Sequence, residues 1–200
     1  MQRPRGRRPL RLLHAGLIYR EERDPRPLFR SLSRLKREGR VSKQDLTIDL
    51  RSAGSEDYYG ALLRELNIDD IVHLLPAIAY REVLRECLDA DALLLLQGDS
   101  CNRQIPAKTY EYLRAGRPIL ALASDVGDTA ALLAKTGGAT IVDLNDEPGI
   151  TAAFPDFLSR VRAHRHPIPD TRQVASYARN RQARALADTL AEVLAGHGGR

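Results

Sequence analysis

The chain has 200 residues, of which 43% are hydrophobic and 28% are charged. This size and composition are typical of a globular protein with one domain, and they exclude a disordered or fibrous chain. The formal net charge of +5 favours an anionic partner. The sequence has no tryptophan and only three phenylalanines, which argues against an aromatic platform for nucleic acid. We therefore predict no nucleic-acid partner.

No signal for membrane insertion or export is recognisable in the sequence. Because no run of about 18 apolar residues is present, no membrane span is expected, although the basic balance leaves a peripheral membrane contact open. Residues 1–9 are predicted to be a disordered basic tail, and the apolar stretch after them is too short for a signal peptide. A cytoplasmic location is the expectation. The two cysteines are too few for a disulfide framework or a metal cluster.

Strand-like and helix-like segments alternate along most of the chain. Apolar runs and period-two alternation predict strands over residues 10–16, 44–51, 70–75, 91–96, 118–123 and 139–144. Helical spacing and end signals predict helices over residues 26–39, 55–67, 79–90, 106–115, 127–137, 147–163 and 171–195. Ser55 is the predicted N-cap of the second helix. Six strands that are mostly followed by helices predict an α/β fold: a Rossmann-like, doubly wound, mainly parallel six-stranded sheet with helices on both faces.

The stretch IPAKTYEYLRAGRPILAL, residues 105–122, contains a short helix between a polar loop and a buried strand. Pro106 suits the first helical position, Gly116 is typical of a helix end, and Pro118 blocks continuation. In an open parallel sheet, ligands bind at the carboxyl ends of the strands, where helix N-termini converge. Free amides and the helix dipole at this N-terminus favour an anion.

Lys108 and Glu111 are three residues apart and therefore neighbours on this helix. One interpretation is an intrahelical ion pair that contributes about 0.3 kcal/mol. The other is a ligand site, in which Lys108 adds to the helix dipole against a phosphate and Glu111 accepts hydrogen bonds from two adjacent ribose hydroxyls. Both roles belong to one ligand, a nucleotide sugar. Tyr110 and Tyr112 are interpreted as packing residues.

The segment PAKTYEYLRAGRPILAL, preceded by DADALLLLQ and followed by SDVGDTAALL, resembles the C-terminal half of a group-1 (family 4) glycosyltransferase of the GT-B fold. LLHAGLIYREERDPRPLFRSL and IVHLLPAIAYREVL add weaker similarities, so that the resemblance covers roughly residues 10–144. It implies that residues 10–164 form a Rossmann-like domain that binds a nucleotide-sugar donor. Residues 165–200 are expected to form a linker and a C-terminal helix that packs on the domain or on a missing N-terminal half.

The resemblance also implies which residues bind the donor. Glu111 matches the residue that holds the ribose, and Gly16 matches a first-loop glycine whose missing Cβ lets the backbone approach the ligand. Arg20 and Arg23 are the candidates for a basic residue that meets the diphosphate. The family often has a glutamate eight residues before the ribose residue, where this chain has Arg103, so the identity of the sugar stays open. The segment that faces the diphosphate and the sugar is matched by Gln104, Ile105, Pro106, Ala107 and Lys108.

The activity that the resemblance implies is transfer of a sugar, with retention of configuration, from a UDP- or GDP-linked donor to an unknown acceptor. GT-B enzymes work in a cleft between two domains. An N-terminal acceptor-binding domain is therefore expected, in the full-length protein or as a second chain, and this chain alone is expected to bind the donor without full activity. No catalytic side chain is identified. Neither a cofactor nor a metal is expected, because Lys108, an arginine and the helix amides can neutralise the diphosphate.

Two other functions stay open: a non-catalytic module for nucleotide recognition or subunit docking, and a sugar-nucleotide epimerase of the same fold. The DAD sequence at residues 89–91 precedes a buried strand, at the wrong end of the sheet for a ligand, so a metal site there is not favoured. His164 and His166 are interpreted as solvated linker residues, and His14 as a core or strand-end residue. No GxGxxG or P-loop motif is present, which argues against a dehydrogenase or an NTPase.

Overall fold

The computed structural model describes residues 8–197, with side chains through residue 195. The strands are β1 (Leu10–Ala15), β2 (Leu46–Arg51), β3 (Val72–Leu75), β4 (Ala92–Leu96), β5 (Ile119–Leu122) and β6 (Ala139–Val142). The helices are α1 (Arg26–Arg37), α2 (Glu56–Glu65), α3 (Tyr80–Asp89), α4 (Ala107–Ala115), α5 (Asp128–Thr136), α6 (Glu147–Arg162), α7 (Thr171–Ala175) and α8 (Arg179–His197). Each strand from β1 to β6 is followed by a helix, as the sequence pattern predicts.

All six strands form one parallel sheet in the order β3-β2-β1-β4-β5-β6. This confirms the predicted Rossmann-like fold. β1 and β4 are neighbours in the sheet although β2 and β3 lie between them in the sequence, so the direction in which the sheet grows reverses at this pair. In open α/β sheets, ligands bind in the crevice above such a reversal, at the carboxyl ends of the strands.

Helices cover both faces of the sheet. One apolar core lies between the sheet and α1, α2 and α6, with Phe29 and Phe154 fully buried in it. The other lies between the sheet and α3, α4 and α5, and it buries Tyr112. Every residue of β4 and β5 is buried. This explains their continuous apolar sequences, since a strand covered on both sides has no solvent-facing residues.

Three local predictions differ in part from the structure. Ser55 is the N-cap residue of α2, as predicted, but its φ of +50° places it in the left-handed region and its side chain does not cap the helix. Capping needs an extended backbone at this position. Pro106 is the N-cap residue of α4 instead of its first helical residue. The predicted helix over residues 171–195 is two helices, α7 and α8, with a break at residues 176–178.

The segment after α6 runs back along the domain before α7 begins. The His166 side chain is buried, with Nε2 2.9 Å from Thr140 Oγ1 and its ring edge-on to Phe157, so its interpretation as a solvated residue is wrong. The N–H of Asp170 donates to the carbonyl of Thr136 at the end of α5. The linker is therefore packed against the domain through specific contacts.

The two ends of the described chain differ in their contacts. Arg8 forms an ion pair with Asp91 at 2.7 Å, while residues 1–7 of the predicted tail lie outside the described residues. The side chains of residues 179–195 are exposed, and they include the apolar residues Leu186, Leu190, Val193 and Leu194. No helix among the described residues is long and apolar enough to cross a membrane.

Candidate functional site

Several of the residues predicted to bind a ligand lie near the carboxyl ends of β1 and β4. β1 pairs with β4 through Leu12 and Leu13. Beyond this pairing, the loop of residues 16–25 leaves β1 and the loop of residues 97–106 leaves β4. The second loop leads into the N-terminus of α4, which has no side-chain cap. Within the first turn the N–H of Thr109 donates to the carbonyl of Pro106, and an uncapped helix N-terminus of this kind favours an anion.

A backbone hydrogen bond joins the two loops. The N–H of Gly98 donates to the carbonyl of Glu22 at 2.5 Å, and a Cβ on Gly98 would lie 2.8 Å from that oxygen. Only glycine permits this approach. Buried Gln97 donates from Nε2 to the carbonyls of Cys101 at 2.6 Å and Gln104 at 2.8 Å. These contacts fix the shape of the loop that precedes α4.

Lys108 lies in the first turn of α4, and its side chain extends to the end of β1. Its Nζ lies 3.2 Å from Nε2 of His14. A Cβ on Gly16 would lie 3.1 Å from the same Nζ. Gly16 has a φ of +106°, a conformation that residues with a side chain rarely adopt. The structure thus brings together Gly16 and Lys108, which the sequence predicts to bind the same ligand.

His14 is the residue of this crevice that the sequence analysis missed. Its fully buried ring places Nδ1 2.9 Å from the carbonyl of Leu94 in β4. Because a carbonyl only accepts, Nδ1 carries the proton of the neutral ring, and Nε2 is left to accept from Lys108. Burial, followed by the charge of Lys108, lowers the pKa of His14 well below its ordinary value. The sequence signal that could have identified it is its position at the carboxyl end of a strand, two residues before Gly16.

The Lys108 amine has an unusual proton affinity. Burial, followed by the positive charge of Arg23, lowers its pKa from 10.5 to about 7, while Glu111 opposes this change. The protonation of this amine is therefore sensitive to pH near neutrality. The Arg23 side chain is only 17% exposed, and its buried Nε has no hydrogen-bond partner among the described residues. Its nearest carboxylate is that of Glu22, at 3.8 Å.

Arg20, the other arginine predicted for the diphosphate, lies elsewhere. It is exposed, and its guanidinium carbon lies 3.6 Å from the centre of the Tyr58 ring in α2. Arg23 is the arginine whose charge lowers the pKa of Lys108. The structure therefore separates two candidates that the sequence could not distinguish. Arg103 is also exposed.

The predicted segment before Lys108, residues 104–107, runs directly into the N-terminus of α4. The carbonyl of Gln104 accepts from Gln97 Nε2 at 2.8 Å and from Thr129 Oγ1 at 3.2 Å. Ile105 packs against the core under α3, α4 and α5. The remaining two residues, Pro106 and Ala107, form the start of the helix.

Glu111 lies one turn beyond Lys108 and contacts α3. The hydroxyl of Tyr80, the first residue of α3, donates to Glu111 Oε1 at 2.7 Å. Both residues line a cleft of about 770 Å³ between α3, α4 and the residues from Val174 to Gln182. No ion pair joins Lys108 to Glu111 within the described part of the chain, because each side chain has a different partner. The interpretation of these residues as an intrahelical pair is therefore wrong.

The two tyrosines of α4 pack as the sequence predicts. Tyr112 is fully buried, and its hydroxyl oxygen accepts from the N–H of Ala15 at 2.9 Å, next to Gly16. Tyr110 packs against Tyr177 with 5.8 Å between ring centres. Tyr112 therefore ties α4 to the end of β1, and this contact supports the position of Lys108 one turn earlier.

Side chains of the types that bind metals are dispersed in the described part of the chain. Among residues 8–195, no three His, Cys, Asp or Glu side chains are grouped so that they could hold a metal ion. Asp91 accepts from Arg8 and from the N–H of Arg11 at the amino end of the sheet. Cys87 and Cys101 are buried free thiols, and burial raises the pKa of Cys87 to about 11, so this thiol stays neutral at physiological pH.

Solved structures with this architecture include several glycosyltransferases. The chain is similar over 94% of its length to the pneumococcal O-GlcNAc transferase GtfA, solved in complex with UDP and GlcNAc, with a TM-score of 0.62 and 16% identity, and it covers 37% of that chain. It is similar over 94% of its length to a glycosyltransferase from Rickettsia africae, with a TM-score of 0.69 and 13% identity, and it covers 48% of that chain.

A third similar structure is the catalytic domain of the cholesterol-α-glucosyltransferase from Helicobacter pylori, with a TM-score of 0.60 and 15% identity over 88% of this chain and 98% of that one. No protein-family model and no curated protein matches the sequence. At these identities the similarity shows the fold, which is the one that the resemblance to the C-terminal half of a GT-B glycosyltransferase predicts. The chain spans less than half of the pneumococcal and rickettsial proteins.

Proposed function

We propose that this chain is the donor-binding domain of a retaining glycosyltransferase and binds the diphosphate of a UDP- or GDP-linked sugar between β1 and β4. The observation that carries this proposal is the Lys108 side chain, which extends from the uncapped N-terminus of α4 to Gly16 and forms no ion pair with a carboxylate among the described residues. A cation, free amides and a glycine at the reversal point of a parallel sheet are what a phosphate needs.

The chemistry of sugar transfer needs positive charge at the leaving group. As the bond between the sugar and the diphosphate breaks, negative charge builds up on the departing oxygens. Lys108 and Arg23 supply positive charge, and the amides at the start of α4 supply hydrogen bonds, without a metal ion. Gly16 adds the space that a side chain would fill.

Glu111 is suited to hold the ribose in this proposal. Its Oε1 already accepts from the Tyr80 hydroxyl at 2.7 Å, so the carboxylate is oriented to accept from a hydroxyl group. A ribose presents two adjacent hydroxyls, which can occupy both carboxylate oxygens. When the donor binds, the ribose hydroxyls would replace the Tyr80 hydroxyl as the hydrogen-bond partners of the Glu111 carboxylate.

The acceptor site and the remaining catalytic groups would come from a further domain or a second chain. The pneumococcal and rickettsial proteins are more than twice as long as the part that this chain covers, which leaves room for such a domain. A cytoplasmic location, where nucleotide sugars are made, completes the proposal. A second candidate function is a non-catalytic nucleotide-recognising module, which the exposed Arg103 favours because related enzymes often carry a glutamate there.

Thermal unfolding tests the proposed site. UDP or GDP at about 100 times its Kd should raise the melting temperature by several degrees, because ligand at this level adds about 2.7 kcal/mol of stability. Lys108→Ala and Glu111→Ala should each remove most of this shift. Lys43→Ala is the matched control, since Lys43 is exposed in the loop before β2 and should leave the shift intact. The absence of a shift with any common nucleoside diphosphate would contradict the proposal.

Turnover separates the two candidate functions. A donor-binding domain should hydrolyse or transfer the sugar of its donor once the N-terminal half is supplied. A recognition module should bind the nucleotide and remain inactive with any such partner.

A further inference from the structure

We propose that His14 is a positioning residue that holds the Lys108 amine over Gly16 through a neutral nitrogen, and that this amine takes up a proton when a diphosphate binds. The contact between the two side chains stands on its own geometry. The proton uptake rests on the proposed function, since it assumes that the ligand of this crevice is a diphosphate.

The ring of His14 is fixed from its other side. Its Nδ1–H donates to the carbonyl of Leu94 at 2.9 Å, and the ring is fully buried between β1 and β4. Because this bond sets the orientation of the ring, Nε2 has one position at the end of the strand. Lys108 Nζ lies 3.2 Å from it. Either form of the amine can donate to Nε2, because both an amine and an ammonium carry N–H groups.

A neutral imidazole can accept a hydrogen bond from Lys108 without cancelling its positive charge, which a carboxylate could not do. Elsewhere in the chain, Lys36 forms an ion pair with Asp70 at 2.6 Å, and this pairing neutralises its charge. A carboxylate in the place of His14 would likewise neutralise Lys108 and would repel an incoming phosphate. The imidazole holds the amine in place and leaves its charge for the ligand.

The charged and titratable groups around Lys108 favour proton uptake at neutral pH. Arg23, from the loop after β1, disfavours the ammonium, while Glu111 on α4 favours it. Cys87 on α3 is neutral below about pH 11, and buried His14 stays neutral. Two negative charges from a diphosphate would outweigh Arg23 and raise the pKa of Lys108. The proton then comes from solvent and adds to the lone pair of Nζ.

Nuclear magnetic resonance of the whole chain with ¹³C-labelled lysine can follow Lys108 directly. The chain has only Lys36, Lys43, Lys108 and Lys135, so its spectrum contains few lysine signals to assign. In the ligand-free protein, the Cε signal of Lys108 should titrate near pH 7, the value of its pKa. UDP-glucose or GDP-mannose should raise this midpoint. Their diphosphates have no proton that titrates near neutral pH, so a change in the midpoint reports the protonation of Lys108 and not that of the ligand.

Substitutions of His14 test the positioning role without any nucleotide. His14→Phe keeps a ring but removes both nitrogens, and it should lower the Lys108 midpoint by about one pH unit, because the ammonium loses an acceptor. His14→Gln should keep most of the wild-type midpoint, since its amide provides one donor and one acceptor. His166→Phe is the matched control: it removes another buried, hydrogen-bonded histidine and should leave Lys108 unchanged.

If His14→Phe does not fold, the protonation state of the two ring nitrogens of His14 in the wild-type protein tests the positioning role. The ¹⁵N signals of this ring should show a protonated Nδ1 and an unprotonated Nε2 between about pH 6 and 8. The opposite tautomer, or equal Lys108 midpoints in the wild type and His14→Phe, would overturn the positioning role. A Lys108 midpoint that no nucleotide sugar changes would instead count against the proposed function and the proton uptake, so the two failures are distinguishable.

Discussion

The molecule contains two clusters of cations, and they differ in how far carboxylates of the chain balance their charge. In the first cluster, between β2 and α3, Arg51 donates to both oxygens of Glu86, at 2.9 and 2.5 Å. Arg11 donates to Asp49 at 2.6 Å and lies 3.2 Å from Glu86. Two arginines face two carboxylates, and the charges of this cluster balance within the chain.

In the second cluster, between β1 and β4, carboxylate partners are weaker: Arg23 lies 3.8 Å from the carboxylate of Glu22, and Lys108 forms no ion pair among the described residues. Lys108 contacts the neutral ring of His14, and the buried Nε of Arg23 has no partner in the described part of the chain. Both clusters are partly removed from water, so the unbalanced one costs stability. The first cluster is therefore expected to stabilise the fold, while the second is the one to which the proposed function assigns an anion from outside.

The largest effect on stability is expected in the balanced cluster. Glu86→Gln leaves Arg51 without its carboxylate and should cost about 2 kcal/mol, somewhat less than for a fully buried pair. Arg51 holds the pKa of Glu86 below its ordinary value, so the wild-type advantage should vanish as the pH falls through that lowered pKa. Urea unfolding measures the loss. Glu38→Gln, which breaks an exposed pair with Arg34, should have little effect, and equal losses in the two variants would contradict the comparison.

A smaller effect, of opposite sign, is expected in the unbalanced cluster. Lys108→Met removes a poorly solvated ammonium and should stabilise the ligand-free chain by about 1 to 2 kcal/mol at about pH 6, since Lys108 remains partly exposed.

The pH dependence identifies the cause of this gain. The pKa of Lys108 is about 7 in the folded chain and 10.5 when unperturbed. Between these values the unfolded chain binds a proton that the folded chain does not, so wild-type stability rises with pH and the gain of Lys108→Met shrinks. Urea titrations across this range measure it, with Lys43→Met as the exposed control. A gain that does not depend on pH would show that the amine carries no electrostatic cost.

The smallest effect is expected at Gly16. Gly16→Ala should cost about 1 kcal/mol, because its φ of +106° strains any residue with a side chain. The new Cβ would also crowd Lys108 Nζ and weaken nucleotide binding by about tenfold. Gly39→Ala is the matched control, since Gly39 has a φ of +68° and open space around its Cβ position. Urea unfolding should show a loss of stability in both variants, and calorimetric titration should show weaker nucleotide binding only in Gly16→Ala.

The sequence predicts the fold better than it predicts the crevice. Residues 92–96 and 119–122 are apolar throughout, and α4 between them ends at Gly116, so local patterns specify these elements. The break between α7 and α8 has no proline or glycine at residues 176–178, so no local pattern marks it.

The partners in the crevice depend on contacts between distant residues. His14 resembles a core residue in the sequence because Leu94 and Lys108, which give it a role, lie about 80 and 94 positions away. Arg20 and Arg23 occupy one loop, and only the folded path of that loop sends one to Tyr58 and the other toward Lys108. Such choices are made by tertiary structure and cannot be read from spacing.

The hydrogen bond between Gly98 and Glu22 has a consequence for affinity. Loops that must be ordered by their ligand lower its affinity, because the entropy that they lose is subtracted from the binding free energy. Here the chain joins the two loops during folding. A ligand that enters the crevice therefore meets a preorganised surface, and more of its contact energy remains available to hold it.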